Sequence, residues 1–303
     1  MRPAQPGRRM RKSVDREAHA GATRSGHNTH MKHMRIGLLA LLLMAATSAY
    51  ATCAPGLVDV GGYRLWMQVA GKGEPTVVFE SGGGNDSTTW ASVEPQIRTQ
   101  AGVRTVVYDR AGLGKSEPAP GPYAIDHEVQ ALERALHKCG VRGPLVLVSH
   151  SYGGFVSTLM AADDPHVVGM VLVDANLGSF FDKAEVDSIL AKYTPQFDAF
   201  RKAKPQLASV MIPLMEAYPD TAKRVRAVPV PPALAVIDIV AEKTWADTPE
   251  ELAAMRRAHA DFVAASAARE AVFADGSGHY VMRDRPQIVI DAVERMVKKV
   301  SPR

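Results

Sequence analysis

The chain has 303 residues, 46% of them hydrophobic and 22% charged, the composition of an ordinary globular domain rather than of a disordered, fibrous or membrane-embedded chain. Its net charge of +4 is uneven: residues 1–35 hold nine Lys/Arg against two Asp/Glu, which leaves about −3 for the rest. The basic excess therefore belongs to the leader, and no nucleic-acid partner is expected.

Residues 1–30 are polar, basic and without periodicity. A short basic segment, Met31 to Arg35, precedes an apolar run at 36–46, the length of a signal-peptide core and too short to span a bilayer comfortably. Ala49-Tyr50-Ala51 has the small-x-small form of a cleavage site. The expectation is a leader over 1–51, with a secretion signal from Met31 or Met34 and a periplasmic or secreted product without a stable membrane span. A retained membrane anchor is the alternative. Cys53 and Cys139 both follow the cut; they could pair in an oxidising compartment or stay as two free thiols.

Residues 57–60, Gly61-Gly62 and 63–69 predict an opening hairpin. The apolar run 76–80 predicts a strand entering a glycine-rich loop, Ser81-Gly82-Gly83-Gly84-Asn85-Asp86-Ser87. A short helix over 93–99 follows, then a strand over 104–108 and the loop Asp109-Arg110-Ala111-Gly112-Leu113-Gly114-Lys115-Ser116. Val129, Leu132 and Leu136 mark one face of a helix over 123–139. The buried run 145–148 predicts a strand, and 155–162 a helix directly after it. Residues 169–174 form another buried strand with Asp174 at its end. Residues 176–228 have no strand signal and an apolar helical face that includes Phe180, Phe181, Phe197 and Phe200. A strand over 233–240, a helix over 249–267, a last strand over 270–274 and a closing helix over 286–300 complete the chain. The alternation of strand and helix predicts an α/β fold: a mostly parallel central sheet, helices on both faces and a helical insertion.

Between the strand at 145–148 and its helix lies Ser149-His150-Ser151-Tyr152-Gly153-Gly154. A serine at a sharp turn between strand and helix, with small residues two before and two after, is an elbow that lifts a nucleophilic oxygen above a sheet. The small neighbours are needed because strand and helix approach closely there. Ser149 stands where the usual pattern has glycine. A neutral serine is a poor nucleophile and needs a base in contact and an acid to orient that base.

Taken together, the glycine-rich loop, the Asp109–Ser116 loop, the elbow at Ser151 and Gly276-Ser277-Gly278-His279 resemble the α/β-hydrolase family in order and spacing, over residues 55–300. The resemblance implies a hydrolase core over 52–175 and 229–303, with a helical cap over 176–228 inserted after the sixth strand. It is strongest to serine esterase-like and lipase-like members; an aspartate at the elbow would instead mark epoxide hydrolases or dehalogenases. It implies His279 as the base. For the acid, most of the family uses a residue after the seventh strand, where this chain has Glu242 and Asp247 but no aspartate at the usual spot. Asp174, after the sixth strand as in some lipases, is the preferred candidate, with Glu242 and Asp247 as alternatives; Asp238 lies inside an apolar run and ranks below them. The oxyanion donors implied are the backbone N–H groups of Gly83 and Tyr152. His150 is expected to pack or to support the site, and His127, His137, His166 and His259 to lie on the surface.

The expected activity is cleavage of a carboxylic ester, a small-molecule substrate with an apolar group, through an acyl-enzyme. Amide or lactone hydrolysis, acyl transfer and peracid formation are rivals on the same residues, and a non-catalytic binding protein is a rival of another class. No Cys/His cluster has ligand spacing, so no metal or cofactor is expected.

Overall fold

The computed structural model describes residues 53–301, so the expected signal and its cleavage site lie outside the described residues. Eight strands form one sheet: β1 (Gly56–Asp59), β2 (Arg64–Ala70), β3 (Thr76–Glu80), β4 (Arg104–Tyr108), β5 (Leu145–His150), β6 (Val167–Val173), β7 (Ala235–Lys243) and β8 (Arg269–Gly278). Their order is β1-β2-β4-β3-β5-β6-β7-β8. β2 pairs antiparallel with β1 and β4, and every other pairing is parallel. Gly61 and Gly62, at φ 94° and 97°, make the turn between β1 and β2, a backbone region open to residues without a Cβ.

The central strands are continuously apolar because helices cover both faces. Val146 and Val148 of β5 join Val77 and Phe79 of β3 in one core layer. That layer is closed by α1 (Glu94–Gln100) and α10 (Pro286–Val300), through Ile97, Val289 and Val293. Leu145 and Leu147 point the other way. They meet α2 (Ile125–Lys138) and α3 (Gly153–Asp163) through Leu132, Leu136 and Phe155. The two-residue period of each strand thus feeds two separate cores.

Between β6 and β7 lie α4 (Lys183–Tyr193), α5 (Phe197–Ala203), α6 (Pro205–Glu216) and α7 (Tyr218–Arg226). Tyr218 of α7 packs its ring 5.8 Å from that of Phe155 on α3, which ties this helical segment to the elbow helix. A disulfide joins Cys53, just before β1, to Cys139 at the end of α2. Among the described residues no helix is long and apolar enough to cross a membrane.

Two boundaries differ from expectation for a shared reason. β7 and β8 both run past their apolar stretches, to Lys243 and Gly278. Asp275-Gly276 reads as a stop signal, yet the Glu242 carboxylate accepts the Gly276 N–H at 2.6 Å. The ladder then resumes at Lys243↔Gly278 after a register shift, a bulge that carries the chain on toward His279. α8 (Pro249–Ala264) starts at its Thr248 cap, whose hydroxyl accepts the Glu251 N–H at 3.1 Å. A one-turn helix, α9 (Val281–Asp284), follows His279; no periodic signal announces so short an element.

Candidate active site

Parallel strands end on the same edge of the sheet, so loops far apart in sequence meet there. Ser151 follows β5, Asp174 follows β6, His279 follows β8 and Ser81–Asn85 follow β3. Ser151 has φ 51° and Asp174 φ 45°, and among the described residues these are the two non-glycine positions with positive φ. Such backbone costs of order 1–3 kcal/mol per residue and persists only where surrounding contacts impose it. At Ser151 the contacts are visible: its carbonyl accepts the N–H groups of Gly154 at 2.9 Å and Asn176 at 2.8 Å. The glycines that follow are needed for close approach. A Cβ on Gly153 would lie 2.7 Å from the Glu80 carbonyl oxygen, and one on Gly154 2.7 Å from that of Asn176. Ser149, in the place of the usual glycine, is tolerated because its hydroxyl pairs with that of Ser157 one turn into α3.

Asp174 and His279 are brought together. The His279 Nδ1–H donates to Asp174 Oδ2 at 2.6 Å, and the carboxylate is 1% exposed. Burial pushes Asp174 up, but the His279 bond and charge, the Thr244 hydroxyl at 2.6 Å and the Ala241 N–H at 3.1 Å outweigh it. The carboxyl is therefore held below its ordinary value and stays ionised. With the proton on Nδ1, the lone pair of His279 is on Nε2, the tautomer a general base requires. His279 and Ser151 line one cavity. The alternatives for the acid are engaged elsewhere: Glu242 with the Gly276 N–H, Asp247 in an ion pair with Lys192. Thr244 was not foreseen. It stands near the place where the acid is usually found and here supplies a hydroxyl to Asp174 instead.

His150 is fully buried, and its Nε2–H donates to the carbonyl of His279 at 3.0 Å. Its ring lies 4.5 Å from that of His279 and 5.0 Å from that of Tyr280. Burial, helped by the nearby His279, lowers its pKa to about 3. His150 is thus neutral at ordinary pH and sets no competing charge beside His279. Its Nδ1 also explains Gly82, since a Cβ there would lie 2.8 Å away.

Gly83 and Tyr152 line the same cavity as Ser151, and a Cβ built on Gly83 would sit 3.6 Å from the Cβ of Tyr152. The two candidate oxyanion residues therefore lie against each other at the wall of that cavity. Tyr152 lies at the start of α3, where the helix dipole favours developing negative charge. The cavity has a volume of about 760 Å³, and Phe181, Ile189, Phe197, Met211, Leu214 and Trp245 make its walls mostly apolar.

One histidine departs from expectation. His127, His137 and His166 are exposed, but His259 is buried against Asp238, Nδ1 to Oδ2 at 2.8 Å. Its helix position gave no hint because the partner lies on β7, 21 residues away.

The comparisons with known proteins agree with this architecture. The chain is 41% identical over 104 residues to the uncharacterized protein YqjL of Bacillus subtilis, a match covering 34% of this chain and 40% of that one. It is 32% identical over 108 residues to an AB hydrolase superfamily protein of Gibberella zeae, covering 34% and 33%. The chain thus spans less than half the length of these relatives. Among solved structures it resembles a thermophilic esterase from Thermogutta terrifontis, with TM-score 0.54, 19% identity and coverage of 84% of this chain and 98% of the other. It also resembles the enol-lactonase from Burkholderia xenovorans LB400, with TM-score 0.55, 17% identity and coverage of 80% and 100%. At these identities the likeness is one of fold. The sequence model of the alpha/beta hydrolase family matches residues 77–292, and with the sheet order and the loops at its edge this makes the chain a member of the alpha/beta hydrolase family.

Proposed function

We propose that the protein is a serine hydrolase cleaving carboxylic esters with an apolar acyl or alcohol group. The observation that carries this reading is the Asp174–His279 hydrogen bond on the cavity that Ser151 lines. His279 Nε2 takes the Ser151 hydroxyl proton as Oγ attacks the acyl carbon. Gly83 and Tyr152 N–H groups hold the oxyanion, and Asp174 balances the charge that forms on the imidazole. His279 passes the proton to the leaving alcohol. It then deprotonates a water that attacks the acyl-enzyme, and returns that proton to Ser151 as the acid departs.

The cavity volume falls within the range of small-molecule sites. Apolar walls make affinity grow with chain length at about 0.8 kcal/mol per buried methylene, roughly fourfold in kcat/KM, until the cavity is filled. We also infer export. The signal-like run at 36–46 and the Cys53–Cys139 disulfide support it, since disulfides persist in oxidising compartments.

The test is intact-mass labelling with a fluorophosphonate beside Ser151→Ala, followed by an ester series of increasing acyl length with lactone and amide controls. One adduct on the wild type, lost in the variant, and turnover of esters are expected. A folded wild type that takes no adduct and turns over no ester would sink the proposal.

A further inference from the structure

The loop Asp109-Arg110-Ala111-Gly112-Leu113-Gly114-Lys115-Ser116 does not enter the mechanism above, yet Arg110 is 3% exposed and lies behind the oxyanion loop. Its Nη1 donates to Glu80 Oε1 at 2.5 Å and to the Ser81 carbonyl at 2.6 Å, and its Nη2 donates to the Gly82 carbonyl at 2.5 Å. Its Nε faces Glu128 Oε2 at 3.6 Å. Glu128 accepts from the Tyr123 hydroxyl at 3.1 Å, and that hydroxyl in turn pairs with the Tyr152 hydroxyl at 2.6 Å. The Tyr152 ring also lies 5.5 Å from the guanidinium carbon.

We infer that Arg110 is the positioning residue of the oxyanion hole, a single buried guanidinium that orients both donors, the Gly83 N–H and the Tyr152 N–H; this rests on the serine-hydrolase reading above. The Gly82–Gly83 peptide is trans, so its carbonyl and its N–H point in opposite directions within one plane. Holding the Gly82 oxygen from behind fixes the direction of the Gly83 N–H. The positive charge on that oxygen also polarises the peptide and strengthens its N–H as a donor. The loop needs such a hold because Gly82, Gly83 and Gly84 have no side chains with which to anchor themselves. Two neutral contacts assist: the Ser81 hydroxyl donates to the Asp86 carbonyl at 2.9 Å, and the Asn85 N–H to the Gly82 carbonyl at 3.2 Å. Tyr152, the second donor, is reached through Glu128 and Tyr123.

The rest of the motif seats Arg110. Asp109 accepts the Ser87 N–H at 2.8 Å and the Lys115 N–H at 2.9 Å, which joins its own loop to the oxyanion loop. Gly114 is at φ 52°, and a Cβ there would lie 2.3 Å from Asp109 Oδ2. Ser116 Oγ donates to the Asp109 carbonyl at 2.6 Å.

The test uses Arg110→Lys, which keeps the charge and gives up the planar fork, and the Glu80→Gln/Arg110→Gln pair, which removes both charges of the closest buried ion pair together if the single variant fails to fold. His259→Gln, outside the site, serves as a control for lost stability. Each protein is assayed on the best ester for kcat and KM. Each is also titrated with the matching trifluoromethyl ketone, which adds Ser151 to form a tetrahedral oxyanion. Loss of one oxyanion donor costs about 100- to 1,000-fold in kcat, and a misdirected donor should cost at least about tenfold. The expected result is that fall in kcat with KM within about twofold, and a matching loss of affinity for the ketone, with neither change in His259→Gln. Folded Arg110 variants with kcat or ketone affinity within about twofold of the wild type overturn the inference, and so does a kcat loss shared by the control. A wild type without esterase activity or a phosphonate adduct would instead remove the reading on which the inference rests.

Discussion

Among the described residues two buried aspartates each pair with a histidine Nδ1, Asp174–His279 at 2.6 Å and Asp238–His259 at 2.8 Å. Asp238 lies mid-strand in β7, between Leu172 of β6 and Ala271 of β8, and α8 lays His259 over it. Neither side chain is more than 5% exposed. Asp174 has passed the end of β6, its backbone is turned to φ 45°, and its histidine is 18% exposed on the cavity that Ser151 lines. The chemistry of the two pairs is alike, and their position on the strand separates them. A pair within the sheet can only bind its own parts together. A pair at the carboxyl edge leaves one imidazole nitrogen open to a nucleophile and a substrate.

The sharpest way to break this comparison is to remove each carboxylate in turn. Asp174→Asn is expected to lower kcat by about 1,000- to 10,000-fold, because the amide no longer holds the tautomer with Nδ1 protonated. Steady-state ester hydrolysis measures it, and a loss below tenfold would mean that Asp174 is not the acid. Asp238→Asn is expected to leave kcat within about threefold and to cost about 3–5 kcal/mol in stability, the usual effect of splitting a buried pair. Urea denaturation checks this, and a large kcat loss without destabilisation would dissolve the distinction. Thr244→Val removes one donor to Asp174 and should lower kcat by about 10- to 150-fold, in keeping with about 1.5–3 kcal/mol for a hydrogen bond to a charged group. An unchanged rate would show that the Ala241 N–H and His279 suffice to hold the carboxylate.

The smallest effect is a pH dependence of the sealed pair. Burial lowers the pKa of His259, but the charge and hydrogen bond of Asp238 outweigh it, and the net shift is upward from 6.5. The stabilisation is then fully present below pH 6.5 and is lost as pH rises through the raised value. Thermal denaturation from pH 6 to 9 should show a decline that flattens in His259→Gln. An identical slope in that variant would show that His259 makes no contribution.

Much of the site was legible because it is written in local sequence. Ser151 stands in a short motif between an apolar strand and a helix, His279 on a glycine-flanked loop after the last strand, and the glycines of 81–84 in one run. Each is marked by residues within four or five positions of it. The acid was harder, because Asp174, Glu242 and Asp247 all lie at or just beyond strand ends of the same sheet and nothing local tells which carboxylate turns toward the histidine. The His259 partnership was missed for the same reason. A helical histidine reads as solvent-facing unless the strand beneath it is known to carry an aspartate.

By itself the sequence determined the order of strands and helices, the parallel sheet and the elbow serine, since period, turn chemistry and steric size act over a few residues. Only the tertiary structure decided the pairing of Asp174 with His279, the support of Asp174 by Thr244, the Cys53–Cys139 bond and the convergence of Arg110 on the Ser81 and Gly82 carbonyls. Those contacts join residues 28 to 105 positions apart. Which of several equivalent charges meets which depends on how the strands are ordered across the sheet and where each one ends, and no local pattern encodes that.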